Sequence, residues 1–297
     1  MARIAAALSG GVDSAVAAWL LSRQGHQVVG LSLSLGQGSD EAPQAGAAVA
    51  AQLGLEHRVV AAGREFLEQV VLPSLRAYAD GVTPNPCARC NGRVKFPLLW
   101  LAAQEMGCQA LATGHYARLL AGAGGPCLAE ASHRGKSQAY FLARLDRQAL
   151  GRLVFPLGGY SKPQVRQLAS QAGLAVAQRA ESQDACFLPA GGWDELMAAH
   201  GLLRPGTVED QDGRVLATHG GLHRFTIGQR RGLGVALGRP AYVVSLDGRR
   251  AAVRVGPAEA LMSRGLWGQS PRWLAPAGEN QEITVRVRYA HKGVPCT

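Results

Sequence analysis

No apolar run in the 297 residues is long enough to span a bilayer, because charged or polar residues interrupt every candidate; no membrane role is expected. A signal-peptide pattern is also missing. The opening "MARIAAALSGGVDS" places polar, functional-looking residues where a cleavage site would be, so a cytoplasmic protein is expected. There is no internal repeat and no low-complexity tract beyond local Ala and Gly richness, which sets aside repeat architectures. Acidic residues are scarce, 21 against 31 Lys and Arg, for a net charge of +10. An excess of that size in a cytoplasmic enzyme fits a polyanionic partner, although a basic, arginine-rich proteome would produce it too. What the chain does have is apolar material, 47% of residues. That is enough for two or three domain cores.

The stretch "LSGGVDS", residues 8–14, follows the buried-strand pattern "RIAAAL" and precedes the helical pattern "SAVAAWLLSRQG". Gly10 and Gly11 therefore fall in a tight strand-to-helix turn, where glycine permits positive φ and close approach of a ligand. The helix start offers unpaired N–H groups and the positive end of a dipole, which suits a phosphate. Ser9 and Ser14 add hydroxyls. Asp13 is out of place beside phosphates unless a cation bridges the two, and Mg²⁺ suits that task. The loop is neither G-x-x-x-x-G-K-[ST] nor G-x-G-x-x-G. It resembles the pyrophosphate-binding loop of the ATP pyrophosphatase superfamily, whose members cleave ATP to AMP and pyrophosphate and adenylate a substrate oxygen.

Strand and helix patterns alternate through the first part of the chain, which predicts an α/β fold: a parallel sheet with helices on both faces. Ligands bind such sheets at the carboxyl ends of the strands, where both the glycine loop and "TGHYA" fall. From about Trp193 the pattern turns glycine-rich with short alternating runs, as in a small β module. "AYVVSLDGRRAAVRVG" reads as a hairpin with Asp247-Gly248 at its turn. The expected domains are residues 1–192, catalytic; 193–240, small and central; and 241–297, a C-terminal β-barrel that lacks several strands.

The six cysteines are Cys87, Cys90, Cys108, Cys127, Cys186 and Cys296. In a cytosolic chain they are catalytic, metal-binding or buried rather than structural disulfides. Cys108 and Cys127 lie among small apolar residues and read as core, and Cys296 carries no signal. In "TPNPCARCNGRVKF", residues 83–96, two prolines and Asn85 predict an extended loop carrying a C-x-x-C pair. Arg89, Arg93 and Lys95 surround the pair, and positive charge favours the reactive thiolate. A structural zinc site needs four ligands, and no second C-x-x-C exists. Cys186, in "SQDACF", stands on a separate polar loop. Cysteines on two loops together with an ATP-cleaving loop point to sulfur transfer onto an activated substrate.

With these residues in place the chain resembles the bacterial tRNA-specific 2-thiouridylase family, which replaces the C2 oxygen of the wobble uridine with sulfur. "LSGGVDS", "TPNPCARCN", "TGHYAR", "KSQAYFLARL…FPLG" and "ESQDACF" carry the likeness in the family's order, with "GGLHRFTIGQRRGLG" and "VRVRYAHKGVPCT" downstream. The resemblance implies ATP contacts from Ala7, Leu8, Ser9, Gly10, Gly11, Val12, Asp13 and Ser14, with Leu33 and Gly114 at two further nucleotide contacts. It implies Cys90 and Cys186 as the two catalytic cysteines, Cys186 carrying a persulfide, with Asp13 assisting through Mg²⁺. Asn85, Pro86 and Cys87 match the segment that meets the target base. Lys136, Ser137 and Gln138 match a tRNA-contacting tripeptide, and Arg288 and Tyr289 match a contact from the last domain. The implied partners are tRNA and a sulfur-donor protein, either a cysteine desulfurase or a sulfur-relay protein. A competing mechanism places a [4Fe-4S] cluster on Cys87, Cys90 and Cys186.

Three departures stand against the family pattern. Ser137 occupies a place often held by aspartate, "GQGSDEAP" is a shortened loop, and the final barrel lacks strands. Two other functions remain open at this point: another ATP pyrophosphatase, such as an amide-forming ligase, and a truncated, non-catalytic tRNA-binding protein. The basic excess itself yields a prediction. Affinity for tRNA should fall steeply as salt is raised from about 50 to 200 mM, because bound cations leave the phosphates on binding. Filter binding across that range checks it, and a flat dependence would show that the excess is not an RNA-binding surface.

Overall fold

The computed structural model describes residues 1–36, 41–122, 124–179, 185–236, 238–274 and 280–297. The chain divides into two compact units. The first comprises Met1–Arg64, Cys87–Glu181 and Ser270–Thr297; the second comprises Glu65–Pro86 and Ser182–Gln269.

The first unit is built on β1 (Arg3–Ala7), β2 (Gln27–Ser34), β3 (Glu56–Ala61), β4 (Ala110–Ala112), an antiparallel hairpin of β5 (Ala117–Gly122) and β6 (Gly125–Glu130), and β7 (Leu153–Val154). The main sheet runs β3-β2-β1-β4-β7 with every pair parallel. Parallel strands need both faces covered, and β1 shows how its residues divide. Ile4, Ala6 and Leu8 join the core beneath α1 (Val12–Arg23) and the helix Lys162–Gln171. Ala5 faces the opposite core, with Phe96, Leu99 and Ala103 of the helix Phe96–Glu105. Strand order reverses at β1, which has β2 on one side and β4 on the other. A crevice opens at the carboxyl ends of strands around such a reversal. The segments leaving β1 and β4 there are Leu8–Gly11 and Thr113–Tyr116. The α/β class and the helices on both faces agree with the sequence expectation.

One local expectation changes. The extended stretch ends at Asn85, because a helix runs Pro86–Cys90 and continues through a wider turn, Asn91–Lys95, into Phe96–Glu105. Proline is tolerated at a helix start, where its missing N–H would have had no partner in any case. The two cysteines thus stand one helical turn apart.

The second unit holds a four-stranded sheet of order β10-β11-β8-β9, with β8 Gly206–Glu209, β9 Val215–His219, β10 Tyr242–Asp247 and β11 Ala252–Gly256. β10 and β11 form the expected hairpin, and the Asp247 side chain accepts from the Arg249 and Arg250 N–H groups across its turn. Parallel pairing of β11 with β8 joins strands from both sides of residue 240 into one sheet. Val208, Leu222, Phe225, Val243 and Val253 fill its core. Towards the end of the chain, β12 (Ile283–Val285) and β13 (Val294–Cys296) make a separate antiparallel pair that belongs to the first unit.

Within the second unit, Asp194 of the helix Gly192–Ala199 receives Arg224 through Nε at 3.0 Å and Nη2 at 2.6 Å, and the buried His223 meets the same carboxylate. The Arg224 bonds, then the His223 bond, hold the Asp194 carboxyl below its usual range. A carboxyl whose folded pKa is depressed stabilises the fold above the unfolded value and loses that contribution as pH falls through the folded one. The thermal midpoint of the protein is therefore expected to drop as pH falls below about 4. Asp194→Asn should flatten that acid limb, as measured by thermal melts between neutral and strongly acidic pH.

Candidate active site

The loop between β1 and α1 is shaped by its glycines and closed by its serines. Gly10 has φ +73°, and a Cβ there would lie 2.2 Å from the Ala45 Cβ. Gly11 is the N-cap of α1 and places no side chain over the helix start. The Ser9 N–H donates to Ser14 Oγ at 3.2 Å, and Ser14 Oγ donates to the Gly11 carbonyl at 2.9 Å. From the next strand over, Gly114 comes so near that a Cβ on it would lie 2.8 Å from Asp13 C and Ser14 N. Leu33 is near the carboxyl end of β2 and is partly buried. The expected ATP residues Ala7–Ser14 and Gly114 thus meet at one place, at the carboxyl ends of β1 and β4.

Two side chains hold the Asp13 carboxylate. Lys162 Nζ lies 2.8 Å from both of its carboxylate oxygens, and the Tyr116 hydroxyl donates to Oδ1 at 2.7 Å. The Lys162 side chain is 10% exposed and that of Asp13 31%, so the ammonium is largely buried and the carboxylate half-buried. A Ser161–Gln164 capping box starts the helix at Lys162 and so fixes where the ammonium emerges. A second cation flanks the loop, since Arg179 Nη1 donates to the Gly10 carbonyl at 3.0 Å. Arg166 holds the backbone beneath Arg179 by donating to the Ala177 carbonyl at 2.9 Å. Sequence reasoning missed Lys162, Tyr116 and Arg179. The signal for Lys162 was its place at a well-capped helix start; Arg179 offered none.

His115 lies between the rings of Phe96 and Phe155, and its Nδ1 is 2.8 Å from Thr113 Oγ1. Burial, then the nearby Lys95 charge, pushes its pKa down to about 3. It is a neutral hydrogen-bonding group at physiological pH, not a cation.

Cys87 is exposed and Cys90 half-buried. Arg89, Arg93 and Arg144 crowd this turn. The Arg89 guanidinium is held below its usual pKa first by burial, then by the charges of Arg144 and Arg93. Such a field favours a thiolate. Buried Asn91 donates from Nδ2 to the Phe141 carbonyl at 3.0 Å, tying the turn to the segment that follows the tripeptide. In that tripeptide Lys136 is exposed, whereas Ser137 is buried and its Oγ accepts the Ala131 N–H at 3.1 Å. Gln138 bonds Tyr116 twice through the backbone. Its N–H donates to the Tyr116 carbonyl at 2.8 Å, and its Oε1 accepts the Tyr116 N–H at 2.9 Å. The Tyr289 ring stacks near Phe141 (4.8 Å) and Tyr140 (6.1 Å), beside exposed Arg288. Asn85 and Pro86 precede the cysteine turn and are partly buried.

Cys186 belongs to the second unit and is exposed. Its neighbour Phe187 is buried between Phe66 (5.4 Å) and Trp193 (5.6 Å), which anchors one side of that cysteine. The preceding part of the "ESQDACF" motif, residues 181–184, lies outside the described residues.

A profile described as "tRNA methyl transferase HUP domain" matches residues 2–190, and one described as "tRNA methyl transferase PRC-barrel domain" matches 195–257. A "tRNA-specific 2-thiouridylase MnmA" from Trichlorobacter lovleyi is 41% identical over 304 residues, covering 100% of this chain and 86% of that one. Proteins of the same description from Geobacter metallireducens and Syntrophotalea carbinolica are 43% and 44% identical, covering 99% of this chain and 85% and 86% of their own lengths. The chain belongs to the tRNA-specific 2-thiouridylase family. As in the sequence expectation for a 2-thiouridylase, an α/β ATP-loop domain is followed by a small β domain.

Lys162 gives this site its test. Removing the ammonium leaves Asp13 without its opposite charge beside an incoming triphosphate. Lys162→Met should reduce pyrophosphate release by at least about 100-fold, as loss of a preorganised charged donor does. A single-turnover pyrophosphate assay measures this, and near-normal release would show that the Asp13–Lys162 pair is only structural.

Proposed function

We propose that this protein uses ATP to replace the C2 oxygen of the wobble uridine of tRNA with sulfur. The observation that carries the reading is the pairing, in one unit, of a glycine loop flanked by Lys162 and Arg179 with an arginine-crowded cysteine turn. An amide-forming ligase would use the first and has no need of the second. A non-catalytic RNA-binding protein needs neither. Although the matching profiles are described by methyl transfer, the two cysteine loops and the loop for ATP are equipment for sulfur transfer.

A pyrimidine carbonyl oxygen is a poor leaving group. Its attack on the α-phosphorus of ATP expels pyrophosphate and converts it to a good one, AMP. The N–H groups at the start of α1, with Lys162 and Arg179, stabilise charge as it develops on the phosphates. Mg²⁺ enters with ATP as part of the substrate. Asp13 takes Lys162 on both oxygens and the Tyr116 hydroxyl on Oδ1, and its carboxylate keeps acceptor capacity beyond these bonds.

In one route the terminal sulfur of a persulfide on Cys186 attacks C2 and AMP leaves, which joins the base to Cys186 through an S–S bond. Cys90, having supplied a proton to the persulfide chemistry, then attacks Cys186 Sγ as thiolate, breaks that bond and releases the thiolated base. In the other, Cys90 attacks Cys186 Sγ of the persulfide first, and the freed sulfide attacks C2 and expels AMP. Both routes leave a Cys90–Cys186 disulfide, and a two-electron reductant must reset it. The exposure of Cys186 suits loading by a sulfur-donor protein, a cysteine desulfurase or a sulfur-relay protein. The target base has to leave its stack to reach such a site. Asn85, Pro86 and Cys87 would meet it, while Lys136, Gln138, Arg288 and Tyr289 hold the RNA around it. No described helix is long and apolar enough to cross a membrane, and a cytoplasmic setting fits a tRNA substrate.

A [4Fe-4S] cluster on Cys87, Cys90 and Cys186 would need the three thiols gathered round one group. Among the described residues no three His, Cys, Asp or Glu side chains are gathered as a metal site. Incubation with unmodified tRNA, ATP, Mg²⁺ and a sulfur source, followed by nucleoside analysis, should yield 2-thiouridine. Cys90→Ala and Cys186→Ala should abolish the product, whereas Cys87→Asp should keep much of it in aerobic, iron-free assays. Activity that appears only after anaerobic iron–sulfur reconstitution, and that Cys87→Asp removes, would overturn the persulfide reading.

A further inference from the structure

Tyr116 connects two places that the proposed function uses separately. Its hydroxyl donates to Asp13 Oδ1 at 2.7 Å, inside the ATP site. Its own N–H and carbonyl are both taken by Gln138, at 2.9 and 2.8 Å. Gln138 lies between two short turns, Arg134–Lys136 and Ala139–Leu142, that are too brief to fix themselves. The Tyr116 backbone and the buried Ser137 hydroxyl, bonded to the Ala131 N–H, hold this segment in place. On its outer side Lys136 is exposed.

Tyr116 is 3% exposed and packs in the core cluster with Val12, Ala15 and Leu157. A buried ring has few rotamers and little free volume in which to absorb a displacement. A shift of the Gln138 segment therefore reaches the hydroxyl, and through it the Asp13 carboxylate that Lys162 also grips. The Asn91 bond to the Phe141 carbonyl gives the same segment a second attachment, to the cysteine turn.

We propose that Tyr116 is a positioning residue that couples the RNA-facing segment Lys136–Gln138 to the ATP loop, so that seated tRNA raises the affinity of the loop for ATP. This rests on the function proposed above and adds its regulation. Packed side chains and hydrogen-bond chains are the physical means by which two sites share energy. Linkage then requires ATP to raise the affinity for tRNA by the same factor.

The test uses the full chain, a non-hydrolysable ATP analogue with Mg²⁺, and unmodified tRNA at fixed salt. Affinity for the analogue is measured with and without tRNA, and the ratio is the coupling factor. The wild-type factor should be about fivefold or more, and Tyr116→Phe, which keeps the ring and removes the hydroxyl, should bring it to within about twofold of unity. Gln138→Glu keeps an acceptor for the Tyr116 N–H and should retain the factor; Gln138→Leu should lose it. Thermal melts identify any variant that fails to fold, and if Tyr116→Phe is one, the Gln138 pair decides the outcome. A wild-type factor near unity, or full coupling in Tyr116→Phe or Gln138→Leu, overturns the proposal. Failure of the underlying function reads differently: wild-type protein that binds both ligands yet makes no 2-thiouridine.

Discussion

The Asp13 carboxylate stands at the start of α1, and its partners arrive from far along the chain. Lys162 reaches it across 149 positions and Tyr116 across 103. Everything at the carboxyl end of the sheet depends on this convergence. It fixes the first turn of α1, brings the segment after β4 against the loop, and balances a negative charge beside the glycine turn. The largely buried Lys162 ammonium is tolerable only because it is paired and hydrogen-bonded. Losing either partner therefore disturbs the electrostatics of the loop as well as its geometry.

Much of this was legible in the sequence because local chemistry dictates it. Gly10 and Gly11 after an apolar strand announce a phosphate turn, and the alternation of strand and helix announces a parallel sheet. The Asp247-Gly248 hairpin follows from turn chemistry. The partners of Asp13 were not legible: Lys162 meets it over a separation that leaves no periodic or motif signal. Pro84 and Pro86 suggested an extended loop, yet Pro86 begins a helix, since proline's missing donor is harmless at that one position. Ser137 was placed with the tRNA contacts by its position in a tripeptide; that it is buried, with its hydroxyl accepting the Ala131 N–H, is a tertiary fact that sequence reading cannot supply.

The charge of the protein has an uneven use. A surplus of arginine and lysine over the whole chain speaks only of a polyanion. The structure gives three of these cations a narrower task at the cysteine turn. Arg89, Arg93 and Arg144 repel one another there, a cost that is relieved whenever an anion sits among them, whether a thiolate or a phosphate of the substrate. The same group favours the thiolate form of a neighbouring cysteine. At the loop between β1 and α1 the cations are differently placed, Lys162 on the Asp13 carboxylate and Arg179 on the Gly10 carbonyl.

The order of strands in the main sheet has a consequence for synthesis. β1 is made first, and Ile4 pairs on one side with Val28 but on the other with Ala110. At ordinary translation rates the ribosome needs roughly 5–20 s to reach that second partner. For that interval one edge of the innermost strand is open, and any nascent sheet is assembled from the β3 side alone. Its residues Ala5, Ala6 and Ala7 bury little surface each, so a neighbour that pairs there by mistake gains little and is readily displaced when β4 emerges.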